Sequence, residues 1–377
     1  LSHVYLDWNA TAPLRPEART AATAALDVTG NPSSVHAAGR AARRLVETAR
    51  EQVAALVGAS AREVVFTSGG TEANMLALSP SLGDTLLVSA IEHPSVKCGG
   101  RFAAVEEIPV TAQGIVDLAA LERLLAGRTR PLVSLMLANN ETGVIQPVAR
   151  AAALVHGAGG LLHVDAVQGP GRIECDFLAS GADLMTLSSH KIGGPQGVGA
   201  LIRREGLTVE PLVKGGGQER GARAGTENVP GIAGFGAAAE ATRTLWRDEA
   251  ARMNPLRDRF ESGIKSVSPK AVIFGDTVER LPNTALFAVA GMKAETAVIA
   301  LDLEGVAVSS GAACSSGKVA PSHVLAAMGI APELARGAIR VSLGYATTDG
   351  DVGTILNAWG KLAESLYKAG NKQEIAA

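Results

Sequence analysis

Leu161-Leu162-His163-Val164-Asp165-Ala166-Val167-Gln168 and, further on, Asp183-Leu184-Met185-Thr186-Leu187-Ser188-Ser189-His190-Lys191-Ile192-Gly193-Gly194-Pro195 are apolar runs that each end in polar residues. Strands buried on both faces of a sheet read this way, which predicts strands over Leu161–Asp165 and Leu184–Ser188. Working outward, comparable runs stand at Glu63–Thr67, Thr85–Ser89, Pro131–Met136 and Val198–Ile202, with helix-like stretches between them. This alternation predicts an α/β fold with a largely parallel sheet. Arg40–Leu56 reads as a helix with Leu45, Val46, Ala49, Val53 and Leu56 on one face, started by Ser33 or Ser34.

The pattern changes after about Thr244. Trp246–Val267 reads as a long, charged helix. Short strands follow at Ala285–Ala288, Val306–Ser309 and Ile339–Leu343, and Val352, Ile355, Leu356, Trp359, Leu362 and Leu366 mark a final amphipathic helix. We expect a large domain over residues 15–250 and a smaller one combining 1–14 with 251–377.

Composition narrows the function. The 377 residues are 47% hydrophobic, ample for a large core. Thirty-five Lys and Arg balance 37 Asp and Glu, so no strong field favours nucleic acid or an anionic membrane. No apolar run is long enough for a membrane span, and the first residues lack the pattern of a signal peptide. The three cysteines, Cys98, Cys175 and Cys314, are widely spaced with no CxxC, which argues against a disulfide framework or a zinc site. A reducing, cytoplasmic setting is expected.

Three clusters carry chemistry. In Val64-Val65-Phe66-Thr67-Ser68-Gly69-Gly70-Thr71-Glu72-Ala73-Asn74 a strand passes through glycines into a helix, a cradle for phosphate. The plain alternative is a tight turn with Thr71 as helix cap. Neither the Gly-Lys-Ser/Thr ending of a Walker loop nor GxGxxG spacing is present. Asp165 ends its strand where ligands bind in α/β sheets, although one Asp taken alone is more often a helix cap. Lys191 follows its strand within Ser188, His190 and a Gly-Gly-Pro turn, a setting that a solvated lysine does not explain. Together these are the parts that pyridoxal 5′-phosphate requires: a lysine for the Schiff base, a carboxylate for the pyridine nitrogen, and phosphate ligands. His93, after the strand Thr85–Ser89, is placed to stack on the ring.

The chain resembles the cysteine desulfurases of the NifS/IscS type, within the fold-type I pyridoxal-phosphate enzymes. The likeness runs over nearly its whole length. It includes Tyr5-Leu6-Asp7, Asn31-Pro32-Ser33-Ser34-Val35-His36, Glu92-His93-Pro94, Asn139-Asn140-Glu141-Thr142-Gly143 and His163 to Gln168. Ser188-Ser189-His190-Lys191, Gly215 to Arg220, Arg223 to Asn228, Ser309 to Gly317 and Arg340-Val341-Ser342-Leu343-Gly344 continue it. The resemblance implies a mostly parallel seven-stranded sheet flanked by helices, plus a smaller α+β domain. It implies Lys191 as the Schiff-base lysine, Asp165 on the pyridine nitrogen, Gln168 on the ring hydroxyl and His93 on the ring face. Gly70, Thr71, Ser188 and His190 would hold the phosphate. Thr226 would reach the phosphate of a second subunit, making a homodimer. Asn140 and Arg340 would bind the substrate α-carboxylate. Trp8 and the short stretch Ala77–Asp84 depart from the family pattern.

Cys314 decides the reaction. It sits in Gly311-Ala312-Ala313-Cys314-Ser315-Ser316-Gly317, small and polar, which predicts a mobile loop. A cysteine exposed there is a liability unless its chemistry is used. Cys98 and Cys175 read instead as buried or semi-buried thiols. The expected reaction converts L-cysteine to alanine, with Cys314 keeping the sulfur as a persulfide for an iron–sulfur scaffold or another acceptor. Selenocysteine lyase, another pyridoxal-phosphate enzyme such as an aminotransferase, and a non-enzymatic persulfide carrier are the rival readings.

Overall fold

The computed structural model describes residues 3–311 and 322–375, with side chains to Glu364. Its centre is a seven-stranded sheet that begins with Val64–Thr67, Gly199–Arg203, Leu184–Ser188 and Leu161–Asp165 in spatial order. Pro131–Met136, Thr85–Ser89 and Glu106–Ile108 complete it. Gly199–Arg203 runs antiparallel to both neighbours; the other pairings are parallel. Four strands match the sequence expectation to the residue. Glu106–Ile108 was not expected: at three residues, two of them exposed, it has no apolar run to betray it.

The second helix spans Ala37–Leu56 and starts three residues before the expected Arg40. Its cap is the His36 side chain, which accepts from the Gly39 N–H at 3.2 Å, in place of Ser33 or Ser34. The long C-terminal helix differs more. It runs unbroken from Val229 to Val267, 39 residues, rather than starting at Trp246. Asn228 caps it and Pro230 lies in its first turn, where a missing N–H costs nothing. The small and apolar Val229–Ala239 stretch buries on all sides, so no helical stripe marks it in sequence.

Apolar side chains gather in two main cores. One lies around the large sheet and takes in Val229 to Ala239 of the long helix. The other takes Met253 to Ile264 of the same helix, with Val4, Leu6, Phe287, Val341 and Trp359. Thr284–Ala288 and Ile339–Ser342 pair antiparallel in a four-stranded sheet beneath this second core. The expected strand Val306–Ser309 divides into Val306–Ala307, parallel to Val4–Tyr5, and Ser309–Ser310, antiparallel to Ile339–Arg340. Trp8 fills the space over Gly344, where an added Cβ would come within 1.9 Å of its ring. Among the described residues no helix is long and apolar enough to cross a membrane.

A buried ion pair ties down the strand that enters the phosphate turn. Arg50 donates from both terminal nitrogens to Glu219, at 2.6 and 2.9 Å, and Glu219 also accepts from the Phe66 N–H at 2.9 Å. Glu219 and Arg220 both adopt left-handed backbone, φ 47° and 56°, a strain that these bonds offset. Arg50→Ala leaves a carboxylate buried without its partner. We expect it to cost about 3–5 kcal/mol, read as a lower urea midpoint.

Candidate active site

A cleft of about 280 Å³ opens at the carboxyl ends of the parallel strands, the place where open α/β sheets bind ligands. Gly70, Thr71, His93, Asn140, Asp165, Gln168, Ser188, His190, Lys191 and Arg340, all picked from sequence, line it. They come from distant parts of the chain, and the strand ends bring them together.

Asp165 ends its strand 5% exposed. One carboxylate oxygen accepts from Asn74 Nδ2 at 2.9 Å, the other from the Val167 N–H at 3.1 Å. Asn74 also donates to Ser95 Oγ at 2.9 Å. Ser95 stands beside His93, with Oγ 2.8 Å from Nδ1. The Ser95 main-chain N–H lies 3.2 Å from the same nitrogen, so the Ser95 amide and hydroxyl both address Nδ1 rather than Nε2. Burial lowers the His93 pKa from its ordinary 6.5, and Lys191 and His323 push the same way against the Asp165 charge. The helix Gly70–Ala77 presents its N-terminus to the cleft. A Cβ on Gly70 would meet Val167 Cγ2 at 3.1 Å and Ser188 Cβ at 3.5 Å, so glycine keeps this cradle open. His190, with Nδ1 3.1 Å from Thr11 Oγ1, is driven by burial and by Lys191 to about 4 and is neutral near pH 7.

Lys191 Nζ donates to the main-chain carbonyls of Asn9 at 2.6 Å and Ala10 at 2.8 Å. Gln168 Nε2 donates to the same Asn9 carbonyl at 3.0 Å, while its buried Oε1 has no partner among the described residues. A buried amide oxygen in a cleft wall calls for a donor. That orphaned oxygen, the open Gly70 cradle, the Asp165 carboxylate and the lysine fit pyridoxal 5′-phosphate.

Arg340 is buried, 1% exposed, and so is no strand-surface charge. It donates to the Asn140 carbonyl at 3.0 Å and to Asp7 Oδ1 at 2.7 Å. Thr226 does not reach this cleft. It lines a separate recess with Ser68, Gly197, Glu219 and Asn228. Cys314 lies outside the described residues, but one flank of its segment pairs with a cleft residue and the other bonds the chain neighbours of Asn140 and His93. Ser309 pairs with Arg340. Ser322 Oγ donates to Glu141 at 2.5 Å, and His323 Nε2 donates to the Glu92 carbonyl at 2.8 Å. Burial raises the Glu141 carboxyl to about 7, against the Ser322 bond and Arg340. Cys98 is exposed at the end of the short helix Pro94–Lys97, against the buried or semi-buried position expected for it; Cys175 is half-buried, as expected.

Sequence reasoning passed over Asn74, Ser95, Asp7 and the carbonyls of Asn9 and Ala10. Asn74 did leave a signal: a polar, poorly helix-forming residue one turn after Gly70, on the face turned to the sheet. Main-chain acceptors leave none, since every residue has a carbonyl.

The family model described as aminotransferase class-V matches residues 4–355. The chain is 44% identical to a cysteine desulfurase of Cereibacter sphaeroides, over 97% of each protein. It is 42% identical to cysteine desulfurase IscS 1 of Archaeoglobus fulgidus, covering 89% of this chain and 90% of that protein. A solved NifS-like protein from Rickettsia africae superposes with a TM-score of 0.90 at 37% identity, over 96% of this chain and 99% of that one.

The coupling within the cleft is measurable. The His93 ring is expected to titrate below its ordinary 6.5, and Asp165→Asn to lower it further by removing a charge that raises it. Titration of the imidazole protons by NMR reads both shifts.

Proposed function

The chain belongs to the class-V aminotransferase family, and we propose that it is a cysteine desulfurase that uses pyridoxal 5′-phosphate. It converts L-cysteine to L-alanine and leaves the sulfur on Cys314. The observation that carries this reading is the convergence of Lys191, Asp165 and Arg340 on one cleft, with Gln168 and Gly70 left open to a ligand.

When bound, pyridoxal 5′-phosphate supplies an electron sink conjugated to the substrate α-carbon. Lys191 Nζ is its covalent anchor and, as a free amine, moves the proton at that carbon. The Asp165 carboxylate, oriented by Asn74 and the Val167 N–H, holds the proton on the pyridine nitrogen. Gly70, Thr71, Ser188 and His190 grip the phosphate, and Gln168 faces the ring hydroxyl. Arg340 and Asn140 hold the substrate carboxylate. His93 would stack on the ring, and, its pKa lowered by burial, its Nε2 would take the proton of the substrate thiol. The Cys314 thiolate then attacks the substrate sulfur. The carbon–sulfur bond breaks, its electrons remain with the carbon side, and protonation there gives alanine while Cys314 holds the persulfide.

The same reading extends to four further points. Thr226, remote from its own cleft, serves the phosphate of a second copy in a homodimer. The persulfide passes to an acceptor protein, an iron–sulfur scaffold being the first choice. The compartment is the reducing cytoplasm, since an oxidising one consumes free thiols as disulfides. Residues 15–250 and 1–14 with 251–377 form two units meeting at the cleft, in keeping with the two separate cores.

The purified holoprotein is expected to be yellow, and Lys191→Ala to abolish the absorbance band. Cys314→Ser should keep the band while slowing alanine formation from L-cysteine by at least about a hundredfold. Wild-type turnover in Cys314→Ser sinks the scheme.

A further inference from the structure

Arg340 is a long side chain rooted on the central strand of the small sheet, where Ile339–Ser342 lies between Thr284–Ala288 and Ser309–Ser310. Its backbone is fixed, yet nothing in that pairing fixes its guanidinium. Two acceptors from elsewhere do so. The Asn140 carbonyl, in the turn after Pro131–Met136, takes Nη1; the Asp7 carboxylate, in the N-terminal segment, takes Nη2. Nε is buried and has no partner among the described residues. Of five N–H donors, two are thus committed, and the orphaned Nε–H is among those left for a ligand. Glu141 is also near, but its carboxyl bonds to Ser322, so Asp7 is the acid that holds the guanidinium.

We propose that Asp7 is a positioning residue for the substrate carboxylate: it holds the Arg340 guanidinium so that the uncommitted donors, Nε–H included, face the cleft. This rests on reading Arg340 as the carboxylate anchor. The physical case is one of direction rather than net charge. Asp7 neutralises much of the Arg340 charge, so the pair attracts a carboxylate weakly through space. Affinity then depends on aligned N–H donors, and a planar fork rewards alignment. Asp7 also offsets the cost of burying a guanidinium, with side-chain exposure of 2% for Arg340 against 20% for Asp7.

The test compares L-cysteine with cysteamine, which keeps the amine and thiol but lacks the carboxylate, on the holoprotein. Spectral titration of the cofactor band gives binding, and steady-state rates give KM and kcat. Asp7→Ala, with Asp7→Ser as a second variant should the first fold poorly, is expected to raise the KM for L-cysteine about tenfold with kcat changed less than about twofold. Cysteamine binding should not move. Asp7→Asn keeps an acceptor oxygen and should restore L-cysteine binding to within about threefold of wild type. Equal weakening of both ligands, or no weakening of either, overturns the role of Asp7. Arg340→Lys separates the premise: if it leaves the preference for L-cysteine over cysteamine unchanged, Arg340 is not the anchor and the inference falls with it.

Discussion

The site depends on one carbonyl oxygen. That of Asn9 accepts from Lys191 Nζ and from Gln168 Nε2 at once. An ammonium in a protein interior needs acceptors, and carbonyls supply them without a full opposing charge. These two bonds hold the lysine side chain against the N-terminal segment. The segment that provides the carbonyl is itself held from many sides. Asn9 Nδ2 reaches the Asn140 carbonyl and Thr284 Oγ1; its N–H reaches Ser342 Oγ; Thr11 meets His190. A short stretch near the N-terminus thereby touches Lys191, His190 and the Asn140 turn at once.

How much of this was legible in the sequence follows from the kind of signal each part leaves. Buried parallel strands are continuous apolar runs, so Leu161–Asp165 and Leu184–Ser188 were readable to the residue. Their polar ends pointed to Asp165 and Lys191 as cleft residues. Val229–Ala239 hid its helix because glycine, alanine and proline give no one-sided stripe, and the burial is all-round. His36 hid its capping role because histidine is a rare cap beside serine.

The candidate site divides the same way. Side chains with distinctive chemistry were found; the groups that orient them were not. Asn74 holds Asp165, Ser95 holds His93, and Asp7 holds Arg340. Asp7 in particular reads in isolation as an ordinary acidic residue near a terminus. Its meaning is a contact 333 residues away along the chain. Cys98, read as buried or semi-buried, sits exposed instead, just beyond the buried Val96.

The way Val4–Tyr5 pairs with Val306–Ala307, and Asn9 with Ser342, also sets an order in time. A ribosome delivers the first of these partners at the outset and the second only near the close. Until Ser342 emerges, the N-terminal stretch lacks its seat on the small sheet, and Arg340 of the cleft wall has only just been made. The large sheet is complete by Arg203 and its core can form early. The pocket is therefore assembled last, when nearly the whole chain has left the ribosome, and a truncated product would own a sound sheet but no working cleft.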